Sequence, residues 1–237
     1  MLKELWEDGS PQGKNPYRPP LLHKFPLPLD QPPDEHLQSV MNSIPQGSFQ
    51  NPSSNHASFK ESRFHPLSNG QILSGEGVTL RVIHTPGHTS DSICLYLPEE
   101  GAVFTADSVL GHGTAVFEDL AIYLASLQSL LDYDCGEQGL KLLYPGHGPA
   151  IEGDAARGTI QMYIGHRLER EQQLIEILKK KDGSWTVDDI LAAVYPEHVR
   201  MMAKRGVILH LKKLELDGRA SRIQGDSEEW RLLDRAD

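Results

Sequence analysis

From Gly70 onward the chain is cut into short apolar runs, and three of them break off on a residue able to ligate a metal. "RVIHTPGHTSDS" (81–92) passes through Pro86-Gly87 to His88, "AVFTAD" (102–107) ends on Asp107, and "LKLLYPGHG" (140–148) ends on His147. Short runs rich in β-branched, leucine and aromatic residues, bounded by Gly and Pro, are the pattern of β-strands. They predict strands over 78–84, 92–97, 102–106 and 140–144. Between the last two, "EDLAIYLASLQSLLDY" sets Leu120, Leu124, Leu127 and Leu131 at helical spacing, which predicts one amphipathic helix. Strands mixed with helices in this way imply a layered α/β domain, whose strand ends are rigid places from which loops can present functional groups.

The flanks read differently. Eleven of the sixteen prolines fall within residues 1–67, in stretches such as "GKNPYRPPLLHKFPLPLDQPPDEH" with little periodicity. Residues 1–69 are therefore expected to be Pro-rich and loop-like, with a short helix over His36–Ile44. Residues 70–158 form the α/β unit. A further unit is expected over 159–237. It opens with a charged helix carrying Ile164, Leu168, Ile175 and Leu178 on one face, and continues with a helix capped by Thr186 and Asp189. A third helix ends at Gly218, and a hairpin turns near Gly225-Asp226. Three helices followed by a hairpin outline a small winged-helix-like α+β domain.

Charge and cysteine content narrow the function. Residues 1–158 hold nine Lys and Arg against nineteen Asp and Glu, and carry the whole net charge of −10; residues 159–237 hold fourteen of each sign. A polyanion such as RNA is repelled by the first region. The winged-helix outline offers Arg200, Lys204, Arg205, Lys212 and Lys213 as a modest basic patch in a neutral segment, so packing, dimerisation or a substrate lid competes with nucleic-acid binding there. Cys94 and Cys135 lack the neighbours of a thiolate zinc site and read as core thiols. There is no apolar run long enough for a membrane helix and no signal-peptide pattern at Met1-Leu2, from which a cytoplasmic location is expected.

Alone, a histidine beside Pro-Gly is an ordinary loop residue, and an aspartate after a strand is an ordinary helix cap. In combination, His88, Asp107 and His147 are ligand types suited to zinc, iron or manganese, and the carboxylate can bridge two ions. The remaining histidines are weaker candidates. His84 and His112 read as bystanders, His112 bordering the cleft, while His23, His36, His56 and His65 stand singly in loop-like sequence.

The stretches "TPGHTSDS", "FTADSVLGHGTAVFEDL" and "YPGHGPAI" resemble the third, fourth and fifth metal motifs of the metallo-β-lactamase fold, an αββα sandwich. The likeness is to its beta-lactamase-like protein 2 branch, which includes lactamase-like hydrolases of fungal polyketide clusters and also ends in a winged-helix-like domain. The resemblance implies that His88 is a ligand of one zinc ion, Asp107 the bridging carboxylate, and His147 a ligand of the second ion. It also implies that Ser90 and Asp91 fix the His88 tautomer. The first motif of the family, HxHxDH, has no counterpart here, since no HxH occurs in the sequence. With it go three ligands and the aspartate that serves as acid or base, so no catalytic proton carrier is assigned.

The expected fold is thus an incomplete αββα sandwich followed by the winged-helix-like domain, in an N-terminally shortened member of the branch. The expected activity is metal-dependent hydrolysis of a thioester or related carbonyl substrate, small or carried on a protein, as in polyketide release. Two alternatives stand beside it: a single-strand endoribonuclease of the same family, and a non-catalytic product lacking HxHxDH. A G-x-S-x-G elbow, which would point to an α/β-hydrolase, does not occur.

Overall fold

The computed structural model describes residues 20–32, 35–45, 48–50, 64–136, 139–180, 183–223 and 228–233. The chain divides into two compact units, Met1–Ser68 and Asn69–Asp237.

Within the first unit, the short helix read over His36–Ile44 is α1 (Glu35–Ser43). Strands β1 (His23–Lys24) and β2 (His65–Pro66) pair in parallel, with His23 opposite His65 and their ring centroids 5.3 Å apart. These two histidines do not stand singly: a two-residue ladder, too short to leave a periodic signature, joins them. Burial and the charge of His65 lower the pKa of His23. His56 and the side chain of His36 lie outside the described residues.

The second unit is built on a six-stranded sheet in sequential order: β3 (Ile72–Gly75), β4 (Val78–His84), β5 (Ile93–Leu97), β6 (Ala102–Ala106), β7 (Leu142–Pro145) and β8 (Ile151–Glu152). Every neighbouring pair is antiparallel except β6 and β7, which are parallel because α2 (Leu120–Asp132) forms the crossover between them. Four of the strands lie where the apolar runs predict them. The outer pair β3 and β8 is short and half-exposed, and the sequence pattern does not reveal it.

One sheet face carries Ile83, Cys94, Tyr96, Val103 and Leu143, and it packs with Tyr123, Leu127 and Leu130 of α2 and with Ala156, Ile160 and Tyr163 of α3 (Asp154–Leu178). Both cysteines are buried free thiols, and burial pushes Cys94 up to about 11, as suits a core position.

Helix α3 begins at Asp154, earlier than its apolar pattern suggests, and runs 25 residues through two cores. Its C-terminal half contributes Leu174, Ile175, Ile177 and Leu178 to the second core. Leu168, expected on the inner face, is 46% exposed. The inward positions at helical spacing are taken by Arg167 and Glu171, and one residue further on turns the side chain about 100° away.

The second core is closed by β9 (Trp185–Thr186), α4 (Val187–Val194), α5 (Glu197–Leu216), β10 (Ala220–Ile223) and β11 (Glu229–Leu232). The three strands form a small sheet in the order β10-β11-β9, with Trp230 fully buried. The capping box expected at Thr186 and Asp189 is formed. Gly218 follows α5 at φ +67°, the left-handed conformation that ends a helix. The hairpin pairs as expected, while its Gly225-Asp226 tip lies outside the described residues. Buried Glu171 receives Lys213 at 2.8 Å and Arg219 at 3.0 Å. Lys204 pairs with Asp188 at 2.9 Å, and Arg200 donates to the Tyr195 carbonyl. Three of the five cations of the expected basic patch are thus engaged within the module. No helix among the described residues is long and apolar enough to cross a membrane.

Candidate metal centre

The three ligand-type residues converge because β4, β6 and β7 run in the same direction, with antiparallel β5 between the first two, and so end at the same edge of the sheet. His88 stands on the turn that leaves β4. Gly87 makes that turn possible: its φ is +127°, and a Cβ there would sit 2.4 Å from the Tyr123 Cα. The turn is pressed against α2 and tied to it, the Ser126 hydroxyl donating to the Pro86 carbonyl at 2.7 Å. Only a residue without a side chain admits this approach.

Asp107 is aimed by an irregularity in its strand. The pairing of β6 with β7 shifts register between Phe104 and Ala106, and Ala106 adopts φ +45°, rare for a residue with a Cβ. The chain then turns tightly, with Ser108 N–H donating to the Thr105 carbonyl and the Thr105 hydroxyl to the Val109 carbonyl. Gly146, beside His147, leaves room for the carboxylate: a Cβ there would lie 2.7 Å from Asp107 Oδ1.

Asp107 lies between the two imidazoles. Its Oδ2 is 3.7 Å from His88 Nε2, and its Oδ1 is 3.5 Å from His147 Nε2. Each carboxylate oxygen therefore faces one ring. These separations are long for hydrogen bonds. They match what an ion requires, because two donor atoms at zinc-ligand distances of about 2.0–2.2 Å and a tetrahedral angle lie about 3.4 Å apart.

The His88 tautomer fits the same role. Its Nδ1 lies 2.9 Å from the Val116 carbonyl oxygen, which only accepts, so Nδ1 carries a proton and Nε2 is the nitrogen that faces Asp107. The Val116 carbonyl holds the ring on its Nδ1 side, a partner not anticipated from the sequence, which pointed to Ser90 and Asp91. Asp91 accepts from the Thr89 hydroxyl, and the Ser90 carbonyl lies 3.0 Å from His84 Nε2. A backbone carbonyl in a loop leaves no trace in residue type, which is why the sequence conceals it.

The donor set is partial. Among the described residues, no group of three or more His, Cys, Asp or Glu side chains closes around one point. The arrangement is two pairs sharing Asp107, with one imidazole nitrogen and one carboxylate oxygen at each position. Donor type and spacing are compatible with part of a metal's coordination shell at each pair. His112 borders the site as expected, packed so closely on Gly148 that a Cβ there would meet its Nδ1 at 2.5 Å. The Gly111 N–H donates to the His147 carbonyl.

A family model described as the metallo-beta-lactamase superfamily matches residues 12–151. The chain belongs to that superfamily. The beta-lactamase associated winged helix domain matches residues 186–230, where the second core lies. A beta-lactamase-like protein 2 homolog of Caenorhabditis elegans is 40% identical over 171 residues, 71% of this chain and 55% of that protein. An atrochrysone carboxyl ACP thioesterase of Aspergillus chevalieri is 38% identical over 178 residues, 70% of this chain and 56% of that protein. The crystal structure of a beta-lactamase domain protein from Burkholderia ambifaria superposes with TM-score 0.61 at 20% identity, covering 72% of this chain and 52% of that one. The chain spans about half the length of the curated relatives it matches. Fold and family are thus those the three motifs imply, with the winged-helix domain in place.

Proposed function

We propose that this protein is a zinc-dependent hydrolase of an acyl thioester, with an acyl group on a carrier protein as substrate, acting in the cytoplasm in polyketide biosynthesis. Residues 70–158 supply the metal-binding domain, and residues 159–237 the winged-helix-like domain. The observation that carries the reading is the Asp107 carboxylate with one oxygen toward each of two imidazoles, His88 at 3.7 Å and His147 at 3.5 Å. The choice of substrate is supported by two relatives named atrochrysone carboxyl ACP thioesterase. The acidic charge of residues 1–158 disfavours RNA.

His88, Asp107 and His147 would hold the ions. When bound, divalent ions polarise the scissile carbonyl and bring the pKa of a water toward neutrality. Val116 holds His88 by its Nδ1, which leaves Nε2 as the nitrogen aimed at the site. Gly87 and Gly146 let the turns approach closely enough for the three side chains to meet. In the overall reaction water attacks the acyl carbon, the carbon–sulfur bond breaks, and the carrier thiol leaves with a proton.

Purified protein is assayed on an acyl thioester and on a single-stranded RNA oligonucleotide, with metal content measured on the same sample. Thioester turnover, inert RNA and at least one tightly bound ion per chain are expected. His88→Ala and Asp107→Ala should each abolish the turnover. Cleavage of RNA alone would replace the substrate class with an endoribonuclease, and less than one ion per chain would identify a non-catalytic protein.

A further inference from the structure

We propose that Arg167, on a helix of the winged-helix side of the molecule, is a positioning residue for His88. The inference rests on the reading of His88 as a metal ligand. His88 takes its orientation from the Val116 carbonyl, and Val116 has little anchorage of its own: the residue is 72% exposed, in a segment without regular structure. The residues on either side of it are buried, and both are gripped by Arg167. One guanidinium nitrogen donates to the Ala115 carbonyl at 2.7 Å, and the guanidinium carbon lies 4.9 Å from the centre of the Phe117 ring. The same cation therefore fixes the backbone just before Val116 by a hydrogen bond and just after it by a cation–π contact.

The grip is rigid at its far side. Phe117 stacks on Tyr123 at 5.6 Å and 15°, and the Tyr123 hydroxyl donates to the Ser108 carbonyl next to Asp107. The Phe117 ring also stands perpendicular to the buried ring of His210 on α5, with centroids 6.3 Å apart. A half-buried cation is costly unless its contacts are specific, and partial burial already lowers the pKa of Arg167. Another guanidinium nitrogen, Nε, is buried with no hydrogen-bond partner among the described residues. A leucine would fill the space without that cost. What Arg167 adds beyond packing is a fixed position for the 115–117 backbone, and through it the proton on His88 Nδ1.

The test compares the wild-type chain with Arg167→Met, which keeps the apolar stem, and Arg167→Lys, which keeps a charged donor. Ring nitrogen shifts of His88 in metal-free protein, assigned by their loss in His88→Gln, report the tautomer, and Zn2+ titration reports affinity. Wild type should show Nδ1 protonated and hydrogen-bonded. Arg167→Met should show a mixture of tautomers and bind Zn2+ about 10- to 100-fold more weakly, the range for losing a partner of a metal-bound histidine. Arg167→Lys should recover part of both. If Arg167→Met only lowers the melting temperature and leaves the tautomer unchanged, Arg167 is purely structural and the proposal fails. If wild type takes up no Zn2+ yet the tautomer responds as expected, the positioning role stands and the metal reading alone fails.

Discussion

Gly87 joins the local and the long-range demands on the site. Its φ of +127° disfavours any side chain, and the backbone of α2 fills the space a Cβ would need, with Tyr123 Cα at 2.4 Å. Gly87→Ala must therefore both strain the turn and push it away from α2, for a loss of about 3 kcal/mol. Urea unfolding measures this, and the displaced His88 should also lose its bond to Val116. Gly158 provides the opposite case: it is exposed within α3, and a Cβ there meets nothing within 4 Å. Gly158→Ala should stabilise by about 0.5–1 kcal/mol. At this scale the sequence was informative where chemistry resides in residue type. His88, Asp107 and His147 announce themselves as ligand types after strands, and the structure brings them together. The turn glycines are visible as punctuation. The Val116 carbonyl and the left-handed Ala106 are properties of the backbone and have no residue-type signal.

At the scale of elements, legibility followed the range of the interactions. The capping box of α4 is local: the Thr186 hydroxyl accepts from Asp189 N–H at 3.1 Å, so four adjacent residues specify it. Thr186→Ala should cost about 1 kcal/mol, read as a lower urea midpoint at unchanged denaturant slope. The four interior strands are equally legible, since burial imposes their apolar runs. The outer strands β3 and β8 are half-exposed and obey no such rule. Helix α3 shows the other limit. An apolar residue count puts Leu168 inside, but the inner face of its middle turns is polar, held by Arg167 to a loop carbonyl and by Glu171 to Lys213 and Arg219. Partners 42 to 52 positions away decide that face, and a window of one helix does not contain them.

Across the molecule, α3 is common to both cores, and His210 lies where they meet, on α5 but with its ring perpendicular to that of Phe117 in the metal-side loop. Burial, reinforced by the positive charges of Arg167, Arg170, Lys213 and His166, lowers its pKa to about 3. Unfolded, the same imidazole titrates near 6.5. The folded chain therefore keeps His210 neutral over a range in which the unfolded chain protonates it. The stability this supplies is complete above pH 6.5 and is lost as the pH falls toward 3, at about 1.4 kcal/mol per pH unit. His210→Leu removes the titration while retaining an apolar group in the space. Carboxylates that titrate in the same window act equally on both proteins and cancel in the difference. Measured by urea unfolding from pH 7.5 to 4.5, wild type should lose about 2–3 kcal/mol more than His210→Leu. A difference that stays flat with pH would show that His210 is protonated in the folded protein and that the junction between the two cores is wetter than its packing implies.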